Sequence, residues 1–227
     1  VDLRSLVIKS ARKAPSTPDS VVEAMREAIS MGCFQDGQPL PQEDLAAHLG
    51  VSKIPLREAF RRLEAEGLIT LLPNRGAVVA TLSAPEAQEI MEIRVALETL
   101  ALSLAIPKIH PRVLRRAREV LADLEEETDI AKWGRLNWQF HFELYAPAER
   151  PHLMDMIRVQ HSRVDRYMRI VLSTLGYQPR SQEEHRELLA ACERVDIPQA
   201  VSILTRHVQT AGELVCAHLR KQPVAGP

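Results

Sequence analysis

The sequence has little of what marks a secreted or membrane-bound protein. It holds three cysteines in 227 residues, Cys33, Cys192 and Cys216. Their odd number and wide spacing, with no Cys-x-x-Cys, argue against a disulfide framework and for free thiols in a reducing compartment. No apolar run approaches the ~20 residues of a bilayer span, and the first residues lack the apolar core of a signal peptide. A cytoplasmic protein without membrane contact is therefore expected. Internal repeats and low-complexity tracts are also missing. Charge of one sign is not in excess, since 29 Lys and Arg face 30 Asp and Glu for a formal charge of −1. Any nucleic-acid contact must come from a local patch. The length suits one or two domains with a sizeable core.

What is present is concentrated in Leu40–Thr81. In Gln42–Leu49 the apolar Leu45, Ala46 and Leu49 recur at i, i+1 and i+4, the pattern of a short amphipathic helix. Gly50 can take the left-handed conformation that closes it. Pro55 suits the first turn of a second helix, in which Leu56, Phe60 and Leu63 make a buried stripe. Lys53, Arg57 and Arg61 run beside that stripe at i, i+4 and i+8. Gly67 ends the helix, and Leu68–Leu72 and Ala77–Thr81 read as two short strands around the turn Pro73–Gly76. A short helix crossing into a cationic one, with a basic wing, suits a DNA major groove. The candidate DNA contacts are Ser52, Lys53, Arg57 and Arg61 on the second helix, with Arg75 and Gly76 on the wing. Arg57 is expected at a base edge.

The run DLAAHLGVSKIPLREAFRRLEAEGLI, with NRGAVVA behind it, resembles the winged helix-turn-helix of the GntR family of bacterial transcription regulators over most of Ser20–Thr81. The order L-G-V-S-x-x-P-x-R-E-A carries the resemblance. Such proteins usually have Arg-Thr where this chain has Lys53-Ile54. Lys lacks the fork that Arg offers guanine, and Ile54 has no hydroxyl for a helix cap or a phosphate. An operator departing from the usual one is implied. A winged helix used for protein contact is the alternative.

Elsewhere, Val1–Thr17 reads as a loosely held arm whose Arg4, Lys9, Arg12 and Lys13 either touch phosphates or are simply solvated. Thr17-Pro18-Asp19 opens a first helix with Val21, Val22, Met25 and Ile29 on its apolar side, closed by Gly32. Ser83-Ala84-Pro85 is the linker, placing the domains at 1–82 and 83–227. Beyond it no credible strand appears. Six helices are expected, roughly Pro85–Ile106, Pro111–Glu127, Ala131–Ala146, Arg150–Leu175, Ser181–Val195 and Pro198–Lys221, with prolines near the boundaries. The fold class is mainly α: an N-terminal winged helix-turn-helix followed by an all-α bundle. Behind a GntR-like winged helix, such a bundle resembles the FadR-type ligand-binding domain, abbreviated FCD.

Polar residues on apolar faces carry the chemistry of the bundle. On the third of its helices Trp133, Leu136, Phe140 and Leu144 define the inward side, and Asn137 and His141 lie within it. His185 precedes Leu188, Leu189 and Cys192, and His207 sits among Ile203, Leu204, Ala211 and Leu214. Three inward imidazoles from three helices most economically share a metal ion. Metal-binding FCD domains carry Asp-x-x-x-His on one helix and one His on each of two later helices. The resemblance thus implies Asn137, His141, His185 and His207 as ligands of a divalent ion, zinc or nickel, with Asn in place of Asp. His48 lies in the DNA-contact neighbourhood, and His110, His152, His161 and His218 read as surface or local contacts.

Arg94 falls on the edge of the stripe Ile90, Ile93, Leu97, Ala101 and Leu104. It either holds a carboxylate ligand or pairs with Glu98. Gln160 and Tyr167 are further effector-pocket candidates. The reading as a whole is a ligand-responsive regulator, a homodimer on operator DNA, sensing a small organic acid. The competing class is a His-site metalloenzyme, disfavoured because no carboxylate near the motif is an obvious general base.

Overall fold

A capping box opens α1 (Pro18–Ser30): Thr17 Oγ1 accepts from Ser20 N, and Ser20 Oγ accepts from Thr17 N at 3.0 Å. The computed structural model describes residues 17–73 and 75–221. Arg4, Lys9, Arg12 and Lys13 lie outside them. By packing, the chain divides into two compact units, Val1–Leu82 and Ser83–Pro227.

In the first unit, α2 (Gln42–Leu49) ends at Gly50, whose φ of 69° is the left-handed turn that a Cβ would strain. The chain then enters α3 (Lys53–Ala65). Val21, Met25 and Ile29 of α1 pack with Leu45 and Leu49 of α2 and with Leu56, Phe60 and Leu63 of α3 in one apolar core. Arg26 binds Glu66 through both Nε (2.9 Å) and Nη2 (2.6 Å), tying α1 to the end of α3. The sheet has three strands, not the two expected. β2 (Ile69–Leu72) and β3 (Gly76–Val79) form the wing, and β1 (Pro39–Leu40) pairs antiparallel with β3, for the order β1-β3-β2. Two residues are too few to show alternation, so only the pairing across the chain reveals β1.

The second unit comprises α4 (Ala84–Ala105), α5 (Pro111–Glu126), α6 (Ile130–Tyr145), α7 (Pro151–Leu175), α8 (Gln178–Glu193) and α9 (Ile197–Lys221). Short 3-10 turns, Ile106–Lys108 and Ala146–Ala148, follow α4 and α6. A second capping box, Ser83 with Glu86, opens α4. That helix packs on α9, α7 and α6. Gly212 of α9 permits close approach, because a Cβ there would meet Met91 Cγ at 2.9 Å. No described helix is long and apolar enough to cross a membrane.

The apolar stripe expected on α4 is out of phase with the buried face. Ala87, Ile90, Met91, Arg94, Glu98, Ala101, Leu102 and Ala105 are inside, whereas Ile93 and Leu100 are 38% and 50% exposed. The two charges are tolerated because they satisfy each other: Arg94 Nε donates to Glu98 Oε1 at 2.7 Å.

Candidate metal centre and nucleic-acid interface

His141 of α6, His185 of α8 and His207 of α9 meet in the bundle interior. Their ring centroids are 5.0 Å (His141–His185), 5.1 Å (His141–His207) and 4.8 Å (His185–His207) apart. One nitrogen from each lies within 4.8 Å of the other two, and all three residues are buried. Trp133 and Phe140 pack on His185, with centroids at 6.5 and 4.8 Å, so the cluster is walled by apolar rings.

Neighbouring side chains dictate the tautomers. His185 Nδ1 lies 3.0 Å from Gln182 Oε1, which can only accept, so the proton sits on Nδ1. His207 Nδ1 lies 2.8 Å from Glu184 Oε2, again an acceptor. Tyr145 donates its hydroxyl to Glu98 Oε2 at 2.9 Å, which leaves its oxygen to accept from His141 Nδ1 at 3.3 Å. Each ring therefore turns Nδ1 to an oxygen outside the cluster and Nε2 towards its interior. His185 Nε2 is buried without a hydrogen-bond partner. Imidazoles oriented through Nδ1–H by a carboxylate, an amide and a phenol are how proteins present Nε2 to a cation.

Electrostatics agree. Burial, then the neighbouring His185, His207 and Arg94, holds His141 well below the ordinary imidazole value. Burial, then His207 and Arg186, does the same to His185. Both rings are neutral at pH 7, the form that ligates metals. Burial alone would raise the Glu184 carboxyl, but the hydrogen bond and charge of His207, together with Tyr177 and Arg180, outweigh it and lower the value. The donor set fits a divalent ion, and the cluster could hold one.

Other expected site residues lie in the same unit. Asn137, one turn before His141, has a buried Oδ1 without a hydrogen-bond partner. Gln160 of α7 likewise has an unpartnered buried Oε1. Tyr167 is buried, and its hydroxyl accepts from Arg166 Nη2 at 2.5 Å. Arg94 takes up the structural pairing with Glu98, leaving Nη2 with no hydrogen bond among the described residues. The relay Arg94–Glu98–Tyr145–His141 thus joins α4 to the cluster. Tyr145, Gln182 and Glu184 were not singled out from sequence. Their signal was spacing, at i+4 from His141 and at i−3 and i−1 from His185. His161 is half-buried against Trp138 (4.3 Å between centroids), and desolvation takes its pKa down to about 4.

On the other unit, α3 turns Leu56, Ala59, Phe60 and Leu63 inward and leaves Lys53, Ile54, Arg57, Glu58, Arg61 and Arg62 exposed. Lys53 pairs with Glu43 of α2, Arg57 Nε donates to Gln42 Oε1 at 3.3 Å, and Arg62 pairs with Asp19 of α1. Arg61 and Arg75 are exposed and make no ion pair among the described residues. Ser52 starts α3 without a side-chain capping bond, so its hydroxyl stays available. Gly76, with φ of 85°, allows the tight wing turn.

A winged helix-turn-helix followed by a helical bundle is an architecture of transcription regulators. Family models bear this out: one described as bacterial regulatory proteins, gntR family, matches residues 17–79, and one for the FCD domain matches 89–210. The chain belongs to the GntR family, in the FadR-like branch with an FCD domain, and that family comprises regulators, not enzymes. The Nta operon transcriptional regulator of Aminobacter aminovorans is 28% identical over 180 residues, spanning 78% of this chain and 83% of that protein. A GntR-family regulator structure from Pseudomonas syringae is 33% identical over 96% of this chain and 94% of its own, with a TM-score of 0.58. The Escherichia coli McbR/YncC structure shares the fold, with a TM-score of 0.81 at 24% identity over 88% of this chain and 97% of its own.

Proposed function

We propose that this regulator binds operator DNA as a homodimer through residues 1–82 and that a small organic acid held in residues 83–227 sets its DNA affinity. The observation that carries the reading is the trio of imidazoles that turn Nδ1 to an oxygen and leave Nε2 for the buried, ring-walled cluster. His141, His185 and His207 hold a divalent ion, zinc or nickel, both of which accept imidazole. Asn137 Oδ1 is the fourth protein donor. An ion held by neutral donors keeps most of its charge and supplies open positions that favour an anionic oxygen ligand. Arg94 Nη2, Gln160 and Tyr167 are the side chains assigned to the rest of that ligand.

On DNA, Arg57 addresses a base edge, Lys53 and Arg61 reach bases or phosphates, Ser52 a phosphate, and Arg75 and Gly76 the wing contact. The pairings of Lys53 with Glu43 and Arg57 with Gln42 are exposed and weak enough to exchange for DNA. Dimerisation is supported by a stripe of α4 in which Ile93 and Leu100 are exposed and Leu97 and Leu104 half-buried, at i, i+7, i+4 and i+11. Effector and operator affinities must then be linked reciprocally.

The test combines gel retardation on DNA flanking the gene with calorimetry of metal-loaded and chelated protein against a panel of carboxylates. Retardation that one carboxylate alters, with that acid bound only by loaded protein, is the expected result. No retarded complex would refute the regulator reading, and equal effector affinity with and without metal would reduce the ion to a structural role. Sedimentation as a monomer, free and on DNA, would refute the dimer.

A further inference from the structure

Ile54 is 70% exposed, the highest value among the large apolar side chains left at the surface of the described residues. Nothing in the fold asks for it. It touches no core, and as a β-branched residue it contributes less to helix formation than many polar residues would. At 100° per residue it points directly away from Leu56, Ala59, Phe60 and Leu63, the buried face of α3. Arg57, Glu58 and Arg61 follow it at i+3, i+4 and i+7 on the same outward side.

This arrangement is unlike a surface built only for phosphates. Such a surface would be uniformly cationic at its centre, yet here an apolar group and a carboxylate share the middle with Arg57 and Arg61, with Lys53 and Arg62 at the flanks. Groups at the centre of an inserted helix, near its N-terminus, meet base edges. In the major groove the apolar feature of those edges is the C5 methyl of thymine. We infer that Ile54 is a specificity-determining residue that packs on a thymine methyl in each operator half-site. This inference rests on the proposed reading that α3 enters the major groove.

The experiment uses the full chain, metal-loaded. A preferred duplex is first selected from a randomised pool, and each of its thymines is then replaced singly by deoxyuracil, which removes only the methyl. Wild-type protein should lose roughly fourfold in affinity at one thymine per half-site, the worth of one buried methyl. Ile54→Ala protein should bind the parent duplex more weakly by a similar factor and show no further loss at that position. Its salt dependence should be unchanged, because no phosphate contact is lost. Circular dichroism identical to wild type shows that the exposed substitution leaves the fold intact. A selected duplex at which no thymine-to-deoxyuracil change matters, or a methyl effect that persists in Ile54→Ala, overturns the inference alone. A pool that yields no preferred sequence overturns the DNA reading, and this inference with it.

Discussion

Helices α3 and α4 allocate charge in opposite ways. The first buries Leu56, Ala59, Phe60 and Leu63 and turns its cations outward. The second buries Arg94 and Glu98 and leaves Ile93 and Leu100 exposed. An exposed ion pair such as Lys53–Glu43 is screened by water and salt and contributes little. Its cation is therefore available to a polyanion. The Arg94–Glu98 pair has given up its hydration, so each partner is committed to the other and to Tyr145. Outward charge on α3 stays accessible, while inward charge on α4 holds Tyr145 beside His141 of the histidine cluster.

Breaking the buried pair should have the largest effect. Glu98→Ala strands the Arg94 guanidinium and frees Tyr145, and should destabilise the bundle by about 3–5 kcal/mol in thermal or urea unfolding. Replacing both partners together by Met and Leu should recover most of that loss. If the single variant is nearly neutral, α4 does not differ from α3 in the way argued. Chelation comes next. Removing the ion should lower the unfolding temperature of the bundle transition, with a loss of about 2.7 kcal/mol relative to metal at 100-fold above its Kd. His185→Ala should make the protein indifferent to chelator, as metal analysis and calorimetry would show.

On α3 the expectation is reversed. Arg57→Ala should cost about 1–3 kcal/mol of operator binding and relax base preference, yet leave the unfolding midpoint unmoved. A shift in unfolding would mean that Arg57 has a structural duty. The smallest effect is that of pH on the chelated protein. The folded pKa of His161 is lowered to about 4 by desolvation, so below its unfolded value of about 6.5 the unfolded chain binds more protons. Stability is complete above pH 6.5 and declines as pH falls towards 4, by at most about 1.4 kcal/mol per unit for this group. His141 and His185 add in the same direction. His161→Phe should flatten part of that slope, measured by unfolding between pH 7 and 5.

Sequence patterns read α3 well because its inward face is uniformly apolar, so the 3.6-residue period and the burial agree. They misplaced α4 because period analysis assigns the core to apolar residues. Arg94 and Glu98 are inside because each satisfies the other and Tyr145 of α6 completes the carboxylate, a partner that no window along α4 contains. The same limit hid β1, whose two residues acquire strand geometry by pairing with β3. It also hid Tyr145, Gln182 and Glu184, whose duties depend on which imidazole atom each one faces.

What the sequence by itself determined is local. Gly50 closes α2, Thr17 and Ser83 cap helices through contacts within one turn, and the alternation around Gly76 makes the wing. Even the inward aim of His141, His185 and His207 follows from periodicity along each separate helix. What only the tertiary structure decided is their meeting within 4.8 Å, the pairing of His207 with Glu184 of another helix and the burial of the α4 charge pair. The physical reason is the range of the forces. Capping and turn geometry are settled over a few residues, whereas desolvation and shared hydrogen bonds depend on atoms far apart in the chain, which packing alone brings together.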